Sequence, residues 1–183
     1  MYPDSFSAGG GGTLQITGKG FTSDVNPGEF NCRFTGIKGD QRLEKIVPAK
    51  FDSETKVLCN IPGGWEDVDN IEFGISFNGI DYTTFETNIS MYTVGGLSPQ
   101  SSPEGGSSAP FTVWGSGFKS DTDAMLYINN EAIQPESIED DLITFKPFKP
   151  SPGTENFIGS YEMELTVNGV DFIKFPDGFS VYK

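Results

Sequence analysis

The chain has 183 residues, with 12 Lys and Arg against 26 Asp and Glu, a formal charge of −14, and no histidine. That charge repels phosphate backbones and anionic head groups, which argues against nucleic acid and membrane surfaces as partners, and the missing imidazole excludes His-based catalysis and His-ligated metals. Its 23 Gly, 12 Pro, 16 Phe and 36% hydrophobic residues fit a turn-rich globular chain with a core, and no window approaches the roughly 18 apolar residues of a membrane span.

In chain order, Met1-Tyr2-Pro3-Asp4-Ser5 has neither a basic n-region nor an apolar h-region. A mature or excised fragment would also lack a signal, so the address stays open. Ile16-Thr17-Gly18-Lys19-Gly20-Phe21 reads as a strand that bends at glycines, with the Phe closing the end of the fold. It lacks the continuation of a phosphate-cradling loop. Phe30, Cys32 and Phe34 alternate with Asn31 and Arg33, and Val57, Cys59 and Ile61 alternate with Leu58 and Asn60. Both sulfurs therefore face one core, as a cross-core disulfide or as two buried free thiols.

Trp65 follows Pro62-Gly63-Gly64 in a loop. Ile71, Phe73, Ile75 and Phe77 then point one way, with Glu72, Gly74 and Ser76 opposite, and the strand ends at Asn78-Gly79, read as a type I′ hairpin. Tyr161, Met163, Leu165 and Val167 repeat this pattern and end at Asn168-Gly169. No stretch carries a sustained, capped helical face.

An internal repeat organises these elements. Ile16-Thr17-Gly18-Lys19-Gly20-Phe21-Thr22-Ser23-Asp24 lies over Val113-Trp114-Gly115-Ser116-Gly117-Phe118-Lys119-Ser120-Asp121, and Asn78-Gly79-Ile80-Asp81-Tyr82 over Asn168-Gly169-Val170-Asp171-Phe172. Phe85 falls on Phe175, and Met91-Tyr92 on Val181-Tyr182. The chain reads as two copies of one module, residues 1–93 and 94–183, each an all-β sandwich. They carry charges of −6 (7 basic, 13 acidic) and −8 (5 basic, 13 acidic), with no basic stripe on either. Almost no linker separates Tyr92 from Val94, and the Ser98–Ser108 stretch belongs inside the second module.

This order of elements resembles the IPT/TIG immunoglobulin-like family, whose modules open with Ser-Pro and Gly-Gly, run into G-x-G-F, carry C-x-F and C-x-x-P strands and close on an Asn-Gly hairpin. Here these are Leu97-Ser98-Pro99, Gly105-Gly106, Gly115-Ser116-Gly117-Phe118 and Asn168-Gly169 in the second copy. The first copy adds Gly11-Gly12, Cys32-Arg33-Phe34 and Cys59-Asn60-Ile61-Pro62. The resemblance implies two tandem E-set-type β-sandwiches. The Cys32–Cys59 pair is similar to one in plexin and growth-factor receptor ectodomains, which implies a disulfide and a cell-surface or secreted setting. The second copy offers Leu126 and Thr144-Phe145 instead, so apolar packing replaces the bridge there. Intracellular family members that help bind DNA fit poorly with the acidic surface.

Upstream of Pro99 runs Tyr92-Thr93-Val94-Gly95-Gly96-Leu97, but upstream of Pro3 only Met1-Tyr2, so the first copy lacks an opening strand. A cut from a longer array, tolerance of the loss, or a strand supplied by a neighbouring chain each explain this. The last would build a filament.

Candidate sites are few. Asn88-Ile89-Ser90 is the single N-glycosylation sequon. Glu66, Asp67 and Asp69, and Glu139, Asp140 and Asp141, are acidic clusters where Ca²⁺ ligands could converge, or plain solvated loops, and no cofactor is otherwise implied. Trp65 and Trp114 could stack on sugars or pack into the fold, and Phe145, Pro147, Phe148 and Pro150 form a contact patch or a packed loop. No catalytic residue is expected, since two small sandwiches lack a large cleft and a nucleophile–base pair. The expected function is a non-enzymatic adhesive, stalk or filament segment whose partners are other protein modules. The rivals are a carbohydrate-binding accessory module of a secreted enzyme and an intracellular structural protein with free thiols.

Overall fold

The structure, a computed structural model of the chain, describes residues 1–24, 28–68, 70–86, 88–104, 106, 108–120, 123–148 and 158–183. Asp69, Gly105, Asp121 and Pro150 lie outside the described residues. Every regular element among the described residues is a strand, and the chain divides into two compact units, Met1–Thr93 and Val94–Lys183. The fold is all-β and immunoglobulin-like.

Unit one contains β1 (Ser5–Ser7), β2 (Thr13–Thr17), β3 (Asn31–Lys38), β4 (Gln41–Ser53), β5 (Lys56–Asn60), β6 (Asn70–Ser76), β7 (Thr83–Thr84) and the start of β8 (Ile89–Ser98). One sheet pairs β4 with β3, β3 with β6, and β6 with β7 and β8, with β1 running parallel to β8. The other joins β2 to β5 and β5 to the far half of β4. β4 thus spans both sheets, because residues 41–48 pair with β3 and residues 49–53 with β5. Between the sheets lie Leu14, Ile16, Phe34, Val57, Ile71, Phe73 and the two cysteines.

Unit two takes the end of β8 and adds β9 (Ser101–Pro103), β10 (Phe111–Ser116), β11 (Met125–Ile128), β12 (Glu131–Ile133), β13 (Pro135–Ile138), β14 (Leu142–Phe145), β15 (Gly159–Thr166) and β16 (Phe172–Tyr182). One sheet runs β13-β14-β10-β8 and the other β12-β11-β15-β16-β9. Phe111, Val113, Leu126, Ile143, Phe145, Met163, Leu165 and Phe179 are buried.

The repeat extends to single hydrogen bonds. The Gly18 and Phe21 amides donate to the Thr55 and Glu54 carbonyls (both 3.0 Å), as those of Gly115 and Phe118 do to Asp141 and Asp140 (2.9 and 3.0 Å). Gly20 and Gly117 take φ of 77° and 73°, where a Cβ is penalised, which explains the second glycine of G-x-G-F. Tyr2 exchanges backbone hydrogen bonds with Gln15 (3.0 and 2.8 Å), and the Tyr2-Pro3 and Ser98-Pro99 bonds are both cis.

The turns differ from expectation. Gly79 and Gly169 take positive φ, but Asn78 and Asn168 do not, so neither pair makes a type I′ turn. Instead the Asn78 Oδ1 accepts from the Ile80 and Asp81 amides (3.0 and 2.8 Å), while its Nδ2 donates to Asp81 Oδ2 (2.8 Å). Asn168 makes the same three bonds to Val170 and Asp171. The side chain closes the loop, so the asparagine backbone need not turn left-handed. The two-residue turn with positive φ at both positions is Asn129-Asn130 (48° and 67°), between β11 and β12. Phe77 also departs from its expected inward position. It lies past the end of β6, partly exposed, and stacks on Phe30 at 4.9 Å.

Candidate functional site

The most distinctive surface is the β3–β4 hairpin of unit one. Residues 31–60 hold six of the chain's twelve cations, Arg33, Lys38, Arg42, Lys45, Lys50 and Lys56, against four acids. The equivalent stretch of unit two, residues 125–146, holds five acids and a single cation, Lys146 at its end. Arg33 lies over the Tyr82 ring at 4.2 Å, a cation–π contact that orders it on the outer face. Lys38 pairs with Asp67 at 3.0 Å, and Lys56 with Asp52 at 3.7 Å. Ile37 and Ile46 are 68% and 52% exposed on the hairpin, unusual for isoleucines in strands.

Beside this hairpin is an open concavity of about 450 Å³, lined by Thr35, Gly36, Ile37, Arg42, Asn70, Glu72 and Asn88. Asn88, the sequon asparagine, is exposed at its rim. The lining offers hydrogen-bonding groups and one apolar side chain, Ile37.

Cys32 of β3 and Cys59 of β5 form a disulfide between the two sheets, with their Cα atoms 6.1 Å apart and both residues fully buried. The register identifies their counterparts. Leu14 pairs with Cys59 as Phe111 does with Phe145, and Cys32 with Ile75 as Leu126 with Leu165. Leu126 and Phe145 are fully buried.

Trp65 is not a surface platform. It is fully buried, because Gly36 on β3 leaves room for the indole edge, and Lys45 Nζ sits 4.6 Å from its ring centroid while bonding the Gly63 and Gly64 carbonyls. Phe148 is also buried, edge-on to Phe179 at 6.0 Å, so both binding candidates are packing residues. Trp114 is 47% exposed and lies flat on Gly95 and Gly96, where a Cβ would collide with the indole.

Glu66, Asp67, Glu139, Asp140 and Asp141 are exposed, and among the described residues no three His, Cys, Asp or Glu side chains come together in a group that could hold an ion. Asp67 is turned onto Lys38, and the Asp140 and Asp141 carbonyls serve the G-x-G-F bend. The hairpin's significance was missed from sequence, although the alternation through Gln41-Arg42-Leu43-Glu44-Lys45-Ile46 into Pro48 was a usable signal, since proline confines a strand to a sheet edge.

A family model for the IPT/TIG domain matches residues 93–182. The second half of the chain is an IPT/TIG domain. Among solved structures, the full extracellular region of plexin A4 resembles the chain in two forms. The form with domains 1 to 8 gives a TM-score of 0.46 at 11% identity, covering 100% of this chain and 17% of that one. The form with domains 1 to 10 gives 0.46 at 15% identity, covering 98% and 15%. Murine CEACAM1b gives 0.25 at 9% identity, covering 98% and 96%. The chain therefore spans about a sixth of the plexin chains. No curated protein sequence matches it. Among the described residues no helix is long and apolar enough to cross a membrane.

Proposed function

We propose that the chain is a non-enzymatic binding and spacing segment of a cell-surface or secreted protein, built from two IPT/TIG modules over residues 1–93 and 94–183. The shared strand order and the paired hydrogen bonds at G-x-G-F and Asn-Gly support extending the family assignment to unit one. The observation that carries the setting is the Cys32–Cys59 bridge, since disulfides persist in oxidising compartments and are rare elsewhere. The exposed Asn88 of the sequon agrees with it. The test is the intact mass of the native polypeptide, alkylated without reduction, before and after glycosidase. The proposal expects no alkylation at Cys32 or Cys59 and a loss of mass on deglycosylation. Alkylation of both cysteines with no glycan would instead favour an intracellular protein with free thiols.

The carbohydrate reading rests on Trp114, whose indole presents one open face. Retention on immobilised glycans that disappears in Trp114→Ala would support it, and no retention would remove it.

A further inference from the structure

The hairpin carries more than an exposed surface, because its outer strand is an open sheet edge. Residues 41–48 of β4 pair with β3 on one side, and among the described residues no strand lies along the other. The Ala49 amide donates to the Phe30 carbonyl (3.0 Å), which fixes the phase of the ladder. Backbone groups of Gln41, Leu43, Lys45 and Val47 face β3, so those of Arg42, Glu44 and Ile46 point outward. Pro48 follows at the next outward position, where it has no N–H to offer and so ends the usable edge. The corresponding edge in unit two is only β12, three residues long.

An open edge can take a strand from many partners, and its charges narrow the choice. In a two-fold antiparallel pairing between two copies, the outward residues must face one another; centring on Gln41 shrinks the overlap to residues 40–42 and centring on Ile46 sets Glu44 opposite Pro48 and loses a hydrogen bond, which leaves four registers. Centring on Arg42 or on Glu44 sets like charges on the axis. Centring on Lys45 places Pro48 opposite Arg42 and loses a hydrogen bond. Centring on Leu43 sets Arg42 opposite Glu44 of the second copy, twice, with both backbone bonds made at each pair and Ile46 reaching Asp40. Within one chain Arg42 and Glu44 are only loosely associated, at 3.9 Å and both well exposed, so they are available to cross the interface.

We propose that residues 40–46 form an edge-to-edge dimer with the same segment of a second copy, antiparallel about Leu43. This deepens the binding reading above by naming the partner as a second copy of the chain. The interface is isologous and closes at two, unlike strand donation from head to tail, which would polymerise. Because each copy carries −14, long-range repulsion opposes the contact at low salt and is largely screened near 0.15 M, where the Debye length is about 8 Å.

The test is sedimentation of the full chain from micromolar to millimolar concentration near 0.15 M salt. The wild type is expected to approach twice the monomer mass. Arg42→Glu and Glu44→Arg alone each set like charges face to face and should weaken dimerisation at least tenfold, while the double swap restores it. Both residues are exposed in the monomer, so circular dichroism should be unchanged throughout. A wild type that stays monomeric, single variants that dimerise like the wild type, or a double swap that fails to recover would each overturn the proposal. So would open-ended polymers, which would point to head-to-tail strand exchange. A monomer with an intact disulfide and glycan would sink this inference alone and leave the proposed setting standing.

Discussion

The two units fold one strand order around two different centres. Unit one ties its sheets together with Cys32–Cys59, whereas unit two fills the same two positions with Leu126 and Phe145. Unit one also carries its β3–β4 hairpin four residues further, since Phe34 and Ile128 are equivalent in register but the turn falls at Gly39-Asp40 in one and at Asn129-Asn130 in the other. That extension requires Trp65 and Val68 to cover it, and it creates the long outer edge. A repeat therefore constrains topology and hydrogen bonding more tightly than it constrains the means of stabilisation or the surface displayed.

The largest effect that would test this comparison lies in unit two. Phe145→Ala removes the side chain that stands in for a sulfur and should cost about 3–5 kcal/mol, checked by chemical denaturation followed at Trp114. Removing the bridge by Cys32→Ala with Cys59→Ala should destabilise unit one by about 3–4 kcal/mol, as chain entropy predicts for its loop, and leave unit two's transition unchanged. Gly36→Ala would place a Cβ 2.7 Å from Val68 Cγ1 and 3.3 Å from the Trp65 ring, overpacking the cover of the extended hairpin by about 1–3 kcal/mol. Its signature is a shift in Trp65 emission.

Smaller effects sharpen the likeness. Asn78→Ala and Asn168→Ala each remove two amide caps and should cost about 1 kcal/mol apiece by thermal melts, with the larger loss at Asn168, which is buried where Asn78 is exposed. The smallest concerns Lys174, whose pKa is raised by its 2.9 Å hydrogen bond to Glu164, then by the charges of Glu164 and Glu162. A raised lysine pKa stabilises fully below the ordinary lysine value and ceases to do so as pH climbs through the raised one. The wild type should therefore lose a slight Tm advantage over Glu164→Gln at strongly alkaline pH, and only slightly, since the lysine is solvent-exposed.

Much of this was legible in the residues because it depends on local phase. The alternation around Cys32 and Cys59 put both sulfurs toward one interior, and the register then identified Leu126 and Phe145 as their counterparts. The Asn-Gly pairs announced turns correctly but suggested the wrong closure, because a side-chain carbonyl two or three residues from the amides it caps competes with backbone preference. Asn129-Asn130 carried a visible signal, two residues tolerant of positive φ between short alternating runs. Trp65 was illegible for another reason. Pro62-Gly63-Gly64 marks a loop, and only the pairing of that loop with Gly36, distant in sequence, reveals that the indole is buried. The open edge of β4 likewise depends on which strands lie beside it, which no periodicity reports.

The central claim, one sandwich stabilised in two ways, can be read from the two tryptophans, one buried in unit one and one half-exposed in unit two. Denaturation of Trp65→Phe and Trp114→Phe chains, each with and without reductant, isolates the two reporters. The account predicts that reductant shifts the Trp65 transition to lower denaturant by the equivalent of about 3–4 kcal/mol and leaves the Trp114 transition in place. Equal shifts in both, or none in either, would contradict it.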